Sequence, residues 1–204
     1  MSPPILLVHG LLTERWFLLP LQHRLRHAGF DPHLTRLPPL CVQDVRVLAA
    51  AVAAQARRLA DARGAPIGVV GVSQGGVASM WAVQQLGASD AVDRLVTLGT
   101  PFAGAPLARL GAAVIGWASE GVRQLVPGHP LLDTLIAGGV PDGVRMTTIG
   151  VATDLVAPPD RCAFPGARHV VVRGGPSPLA HQWMALSRAS IAAISEGLAP
   201  VRER

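Results

Sequence analysis

Short apolar runs of strand length alternate with longer segments of helical periodicity along almost the whole chain. This alternation is typical of βαβ units, in which parallel strands form a sheet that helices cover on both faces. The predicted strands occupy residues 5–8, a stretch near 32–37, and residues 67–72, 95–98, 146–151 and 169–172. We therefore expect an α/β fold built on a mostly parallel sheet of about six strands.

Four longer segments have the composition and periodicity of helices, at residues 14–28, 43–64, 75–86 and 179–198. The second is the clearest, because it is rich in alanine, carries arginines near its end, where they complement the helix dipole, and stops at Gly64. In the first helix we expect a buried side formed by Trp16, Leu19 and Leu25.

Residues 101–143 do not fit the regular alternation. The segment is rich in glycine and proline and contains two helical pieces, near 107–124 and 130–137. Connections this long within a compact domain are usually functional. We interpret the chain as a single domain, residues 1–204, in which 101–143 is a helical insertion or a partial lid.

The composition indicates a large buried core and argues against nucleic-acid binding. Half of the 204 residues are hydrophobic and 15% are charged. The net charge is +5, and all 18 basic residues are arginines, which are scattered along the chain. Aromatic residues make up only 4%, whereas nucleic-acid binders more often combine a basic stripe with stacking aromatic side chains. We expect no nucleic-acid partner.

The sequence also carries no recognisable targeting or membrane segment. The stretch MSPPILLVHG has no basic region and only four apolar residues before His9, which is too short for a secretory signal peptide. We therefore expect a cytoplasmic protein, or a secreted one if the start is misassigned. The apolar stretch 95–108 is broken by glycine and proline and is shorter than the ~20 residues of a membrane span, so no integral membrane segment is expected.

The two cysteines, Cys41 and Cys162, lie far apart in the sequence. This spacing is compatible with two buried thiols or with one disulfide. The chain has no CxxC motif and no clustered Cys/His spacing of the kind that binds metal. We expect neither a metal nor another cofactor.

The most informative local motif is Gly71-Val72-Ser73-Gln74-Gly75, which fits G-x-S-x-G between a predicted strand and a predicted helix. In a nucleophile elbow the serine lies on a sharp turn that exposes its hydroxyl, and the glycines let strand and helix approach. The same spacing also occurs in glycine-rich bends without chemistry. A phosphate-binding P-loop is excluded because the chain has no lysine, and the glycine spacing does not match a dinucleotide-binding loop.

A second segment, LLVHGLL, spans the end of the first predicted strand. In active sites built on a nucleophile elbow, the loop after such a strand supplies one backbone N–H of an oxyanion hole. The residue after the nucleophile supplies the other N–H. The two donors here would be the N–H groups of Leu11 and Gln74. Gly10 lets the chain turn, and we interpret His9 as a structural histidine, since a base is expected after the last strand.

These segments resemble the α/β-hydrolase superfamily and, within it, the small lipases and esterases of bacteria. The matching segments are LLVHG, LRHAGF, VGVSQGG, LVTLGTPFAGAPLARLG, VRMTTIGVATDLVAPP and HQWMALSRASIAAI. They cover nearly the whole chain, and the elbow and LGTP are the most specific. The resemblance implies a catalytic triad in the chain order serine, acid, histidine.

The acid of such a triad follows the strand that comes after the insertion. Asp154, in GVATDLVAPP, occupies this position in the family pattern. Asp160 is the alternative, six residues on and beyond two prolines, and Asp142 precedes the strand. Asp154 could also have a purely structural role, as an aspartate that stabilises a turn or caps a helix.

The base is expected after the last strand, and His181 meets this condition, whereas His169 opens that strand. In the relatives the histidine follows the strand directly, while here the longer loop GGPSPLA precedes it. A hydroxyl, a carboxylate and an imidazole in the correct order, each after a predicted strand, favour Ser73 as a nucleophile.

We therefore expect a serine hydrolase that cleaves carboxylic esters with apolar acyl chains, its partner being a small-molecule ester or lipid. Leu12, Trp16 and Phe17 would flank an apolar acyl site. Phe102, where the family often has a histidine, would change the pocket wall. An apolar stripe at helical spacing is more often ordinary core than an acyl groove, but the insertion adds candidates that could partly cover the site: Leu107, Leu110, Val114, Ile115 and Trp117.

Two other interpretations stay open. An acyltransferase or a thioesterase would use the same triad, because the acylation half of the reaction is shared. A non-catalytic binding module would keep the fold without the chemistry. No pattern in the sequence specifies an oligomeric state.

Overall fold

The computed structural model describes residues 3–115, 119–174 and 180–199. Within them, six parallel strands form one sheet in the order β2-β1-β3-β4-β5-β6. The strands are β1 (Pro4–Val8), β2 (Asp31–Leu34), β3 (Ile67–Val72), β4 (Val92–Leu98), β5 (Arg145–Val151) and β6 (Arg168–Val172). The predicted α/β class and parallel sheet are confirmed, although β2 ends earlier and β4 begins earlier than predicted.

Helices lie between the strands and cover both faces of the sheet. In the described residues they are α1 (Leu19–His27), α2 (Val45–Arg63), α3 (Gln74–Gln85), α4 (Ala108–Ile115), α5 (Glu120–Gln124), α6 (Pro130–Gly138), α7 (Pro159–Cys162), α8 (Ala180–Trp183) and α9 (Arg188–Leu198). None of them is both long enough and apolar enough to cross a bilayer.

The helix predicted at 43–64 forms as α2, and its two ends explain why. The Asp44 carboxylate accepts a hydrogen bond from the backbone N–H of Arg46 at 2.7 Å, which caps the first turn. Gly64 ends the helix with φ +67°, a left-handed conformation that glycine adopts without a steric penalty.

The core is divided into two halves by the sheet. All six residues of β3 are buried, and because side chains alternate along a strand, Val69 and Val70 face opposite sides. Val69 packs in a cluster under α2, α3 and α6, and Val70 packs in a cluster under α1 and α9. The strands are parallel, so their carboxyl ends lie at one edge, where open α/β sheets bind ligands.

The helix predicted at 14–28 is shorter than expected, and part of its predicted buried side was wrong. Residues 15–18 form a 3₁₀ turn, and α1 begins at Leu19 with Pro20 in its first turn, a position where proline loses no hydrogen bond. This change of helix type rotates the side chains. Leu25 is buried as predicted, but Trp16 and Leu19 are 59% and 50% exposed.

The helix predicted at 179–198 is interrupted. After α8, residues 184–186 form a 3₁₀ turn, and Ser187 has an extended backbone at φ −65° and ψ 132° before α9 begins. The interruption separates α8, which carries His181, from α9, whose Ile194 and Leu198 pack against the sheet. Leu179 and most of the loop before it lie outside the described residues.

The insertion packs into the core along part of its length. Three leucines of α6, Leu131, Leu132 and Leu135, are at most 2% exposed and join the cluster under α2 and α3. The piece predicted at 107–124 forms two helices, α4 and α5. Leu107 and Leu110 are exposed. Trp117 lies outside the described residues, as do the side chains of Val114 and Ile115.

Candidate active site

Ser73 lies on the tight turn between β3 and α3, with φ +55° and ψ −129°. A non-glycine residue rarely adopts this conformation, which costs free energy that surrounding contacts must offset. The backbone N–H of Ser73 donates to the carbonyl oxygen of Leu98 at 2.9 Å. The Thr100 hydroxyl donates to the carbonyl oxygen of Ser73 at 2.9 Å. Two hydrogen bonds from the β4 side therefore hold the turn.

The glycines around Ser73 allow backbones to approach more closely than any side chain would permit. A Cβ on Gly71 would lie 2.5 Å from the Cα of Gly76, and one on Gly75 would lie 2.5 Å from the carbonyl oxygen of His9. A Cβ on Gly76 would lie 2.0 Å from the hydroxyl oxygen of Thr100. The motif pattern covers the first two glycines but not Gly76, whose partner lies on a distant segment.

Three predicted site residues from distant parts of the chain are in contact. The Ser73 hydroxyl donates to Nε2 of His181 at 2.9 Å. Nδ1 of His181 donates to Oδ2 of Asp154 at 2.6 Å. A carboxylate can only accept, so in the neutral imidazole Nδ1 carries the proton and Nε2 presents its lone pair to the serine. This tautomer is the one that can take a proton from the hydroxyl.

Asp154 is fixed by its own short turn after β5. Its Oδ1 accepts backbone N–H groups from Val156 at 2.9 Å and Ala157 at 3.0 Å, while Oδ2 faces His181. The carboxylate is fully buried, and the His181 side chain is 13% exposed. A buried carboxylate with three donors keeps the imidazole in one orientation.

The alternative acids and base lie elsewhere. His169 is on the edge strand β6, where its Nδ1 lies 2.8 Å from the hydroxyl oxygen of Thr148. Asp160 is 76% exposed and faces Arg161. Asp142 lines a shallow recess beside Gly143 and Gly166 on a different part of the surface.

The two predicted oxyanion donors lie next to the elbow. A Cβ on Gly10 would be 2.9 Å from the carbonyl oxygen of Val72 and 3.1 Å from the backbone nitrogen of Gln74, so the loop carrying Leu11 passes directly beside the start of α3. The N–H of Gln74 lies in the first helical turn, where a helix offers no acceptor of its own. The neighbouring amide, that of Leu12, donates to the carbonyl oxygen of Leu40 at 2.7 Å.

Backbone strain concentrates around this loop and the elbow. In the part of the chain that the structure describes, the non-glycine residues with positive φ are Leu12, Leu40, Cys41 and Ser73. The hydrogen bond between Leu12 and Leu40 joins two of these strained turns. Strained backbone persists only where surrounding contacts hold it in place, and it clusters at functional sites.

His9 is buried and packed against neighbouring side chains, as expected for a structural histidine. It is 2% exposed, and its Nδ1 lies 3.5 Å from both the Thr13 hydroxyl oxygen and the Cys41 sulfur. Burial lowers the pKa of His9, which favours the neutral imidazole. Thr13 in turn donates to the carbonyl oxygen of Gly10 at 2.7 Å, so this cluster supports the loop that carries Leu11.

Both cysteines are free and buried, which settles the alternative left open by the sequence. Burial raises the pKa of each thiol to about 12. At pH 8 about one thiol in ten thousand is then ionised, and the thiolate is the reactive form. We expect neither cysteine to react with a thiol reagent such as DTNB in the native protein, and both to react after unfolding. Rapid modification of native protein would contradict this environment.

The predicted substrate-binding residues divide into two groups. Leu12, Trp16 and Phe17 are 53%, 59% and 43% exposed, and the rings of Trp16 and Phe17 lie 4.8 Å apart. Phe102, by contrast, is 1% exposed and packs edge to face against Phe164 at 4.8 Å. The chain turns inward after β4, so the expectation that Phe102 forms a pocket wall is corrected: it is a core residue.

Between residues 3 and 199, apart from the two short gaps, no group of three or more His, Cys, Asp or Glu side chains is arranged to hold a metal ion.

No family model matches the sequence, and no curated protein matches it. Solved structures do match in shape. The propeptide form of Bacillus licheniformis lipase BlEst2 has a TM-score of 0.79 at 21% identity, covering 100% of this chain and 52% of that one. Its mature form has a TM-score of 0.74 at 19% identity, covering 95% and 88%.

A third structure is MGS-MChE2, an alpha/beta hydrolase enzyme from the metagenome of sediments of the Mar Chica lagoon, Morocco. It has a TM-score of 0.60 at 16% identity, covering 91% of this chain and 85% of that one. The chain spans about half the length of the BlEst2 propeptide form. At identities this low, likeness of shape establishes the fold, and the chain has the α/β-hydrolase fold, like the lipases and esterases it resembles.

Proposed function

We propose that the protein is a serine hydrolase that cleaves carboxylic esters with apolar acyl chains through an acyl-enzyme on Ser73. The observation that carries this proposal is the continuous hydrogen-bonded chain from Ser73 through His181 to Asp154. Each partner is fixed by separate contacts, and the order along the chain is that of the α/β-hydrolase triad. The likeness in fold to Bacillus licheniformis lipase BlEst2 adds support.

In the first half of the reaction His181 acts as a general base. Its Nε2 takes the hydroxyl proton of Ser73 as Oγ attacks the ester carbonyl carbon, and Asp154 stabilises the imidazolium that forms. The carbonyl oxygen becomes an oxyanion, which the N–H groups of Leu11 and Gln74 would hold. One such donor typically contributes about 3 kcal/mol.

The intermediate then collapses, and the bond between the carbonyl carbon and the alkoxy oxygen breaks. His181 gives its proton to the leaving alcohol, which leaves the acyl group on Ser73. A water molecule next gives a proton to His181 and attacks the acyl carbon. Collapse of the second intermediate releases the acid and returns the proton to Ser73, so the enzyme is regenerated.

The side chains around the site favour an apolar acyl group. Several large apolar residues within six positions of Leu11, Asp154 or His181 are between 43% and 59% exposed: Leu12, Trp16, Phe17, Leu155 and Trp183. Singly exposed apolar residues are common on any protein, but Trp16 and Phe17 contact each other at 4.8 Å after the oxyanion loop, which favours an apolar binding surface there.

The two other interpretations differ from the proposal in what the site would do. An acyltransferase forms the same acyl-enzyme but gives the acyl group to an acceptor other than water. A binding module gains nothing from a buried carboxylate that orients an imidazole toward a hydroxyl on a strained turn, and this costly arrangement favours an enzyme.

The proposal is tested with p-nitrophenyl esters of increasing acyl length, comparing the wild type with Ser73→Ala. We expect the wild type to hydrolyse them, with kcat/KM rising as the acyl chain lengthens, and the variant to match the buffer blank. A thioester series and added alcohol acceptors would reveal a thioesterase or a transferase by a higher rate or by acylated acceptor. Equal rates for wild type and variant would contradict the proposal.

A further inference from the structure

Helix α5 of the insertion lies directly against the side chain of Gln74. A Cβ on Gly121, in the first turn of α5, would lie 2.4 Å from Nε2 of Gln74. It would also lie 3.0 Å from the carbonyl oxygen of Gln43 and 3.1 Å from that of Cys41. A side chain at this point would have to displace the end of the glutamine side chain and would also press on the two carbonyl oxygens.

The Gln74 side chain is held in place by packing against its neighbours and not by hydrogen bonds to the described residues. The residue is 0% exposed, and neither its Nε2 nor its Oε1 has a partner among the described residues. A buried amide without partners costs free energy, so its position depends on the groups packed around it. The backbone of α5 at Gly121 is one of those groups.

Helix α5 is itself fixed to the loop that precedes α2. The N–H of Gly121 donates to the carbonyl oxygen of Val42 at 3.1 Å, and the Ser119 hydroxyl donates to the same oxygen at 3.2 Å. Oε1 of Gln124 accepts the N–H of Val45 at 2.7 Å. These three bonds connect the insertion to the hydrolase body next to the elbow.

We propose that α5 positions the oxyanion donor of the active site: contact with Gly121 fixes the side chain of Gln74 and thereby the direction of its backbone N–H. The inference rests on the proposed function, because it assigns a role within that reaction. It also means that this part of the insertion stays in place during turnover, while Gln74 remains the group that contacts the substrate oxygen.

Gly121→Ala tests the proposal, since the added methyl group must displace the glutamine or the helix. A misplacement of about 1 Å at a catalytic donor costs on the order of a hundredfold in rate. We expect kcat to fall about a hundredfold while KM for a neutral ester changes little. The Ki of a boronic acid, which forms a tetrahedral adduct on the serine, should rise in parallel with the fall in kcat.

Gly138→Ala provides a matched control at the other end of α3. A Cβ on Gly138, in α6, would lie 2.4 Å from Nε2 of Gln84, the same kind of contact about 15 Å along the helix from Gln74. Gln84 donates to the carbonyl oxygens of Leu135 and Gly139, at 2.9 and 2.8 Å, so this change also costs stability. We expect a lower melting temperature but a kcat near that of the wild type.

A double mutant separates positioning from general damage. In a Gln74→Ala background the atom that clashes is gone, so Gly121→Ala should lower kcat far less than it does when Gln74 is present. Should Gly121→Ala fail to fold, Ser119→Ala loosens α5 without adding volume. It removes the bond to Val42 and the cap on Val122, and it should lower kcat with KM unchanged.

The outcomes are distinct. An unchanged kcat in folded Gly121→Ala, or in Ser119→Ala where the first does not fold, would overturn the proposal. So would an equal loss in Gly138→Ala, or additive effects in the double mutant. If the wild type itself hydrolyses no ester, the proposed function fails first, and the inference fails with it.

Discussion

Replacing His181 with alanine is expected to lower kcat by about 10⁶-fold, the scale of loss when the base of a serine–histidine–acid triad is removed. Without the imidazole the Ser73 hydroxyl keeps its proton, and the leaving alcohol has no proton donor. The nearest described partner of the hydroxyl is Nε2 of His181 at 2.9 Å. Steady-state hydrolysis of a p-nitrophenyl ester measures the loss.

His169→Ala is the matched control for that variant. His169 lies on the edge strand β6 and contacts the Thr148 hydroxyl, so its loss should leave kcat near the wild-type value. The reverse pattern, with His169 essential and His181 dispensable, would assign the base to His169 and contradict the proposed triad.

Asp154→Asn is expected to lower kcat by about 10⁴-fold with little change in fold. The asparagine amide would donate to Nδ1 of His181, which moves the ring proton to Nε2. An imidazole protonated at Nε2 cannot accept the proton of Ser73. Oδ1 of the asparagine can still accept the N–H groups of Val156 and Ala157, so the turn should survive.

Asp160→Asn separates the chemistry of Asp154 from a general effect of lost charge. Asp160 is exposed and pairs with its neighbour Arg161 across 3.6 Å, so we expect its variant to keep nearly all activity. A large loss in Asp160→Asn together with a small one in Asp154→Asn would assign the acid to the later residue. Circular dichroism would confirm that both variants are folded.

Features that depend on local sequence could be predicted well. The alternation of apolar runs is a direct consequence of burying a parallel sheet on both faces, and it predicts the six strands. The G-x-S-x-G spacing around Ser73 indicates a tight strand-to-helix turn because the whole motif lies within five consecutive residues. The structure brings Ser73, Asp154 and His181 into contact, while their catalytic roles stay predictions.

Features that depend on contacts between distant segments could not be predicted. Phe102 was expected at a pocket wall because it follows a loop motif, but its environment is decided by Phe164, far along the chain. The contact between Gly121 and Gln74 likewise has no periodic signal, since neither residue belongs to a pattern that includes the other. Gly76 matters only because Thr100 packs against it.

Errors in helix boundaries have a related cause. The helix predicted at 14–28 follows apolar spacing, yet a 3₁₀ turn before Pro20 rotates Trp16 and Leu19 to the surface. The helix predicted at 179–198 is broken at Ser187, which lets α9 pack on the sheet while His181 reaches the elbow. Periodicity alone does not record such changes of direction.

Covalent labelling with a fluorophosphonate tests most directly whether Ser73 is an activated nucleophile. The reagent phosphonylates a serine oxygen only where a base removes its proton and donors hold the developing charge. We predict one adduct per chain, located by peptide mass spectrometry on the peptide containing Ser73, with no adduct in Ser73→Ala or in unfolded protein. An unlabelled wild type, or equal labelling of wild type and Ser73→Ala, would contradict the account.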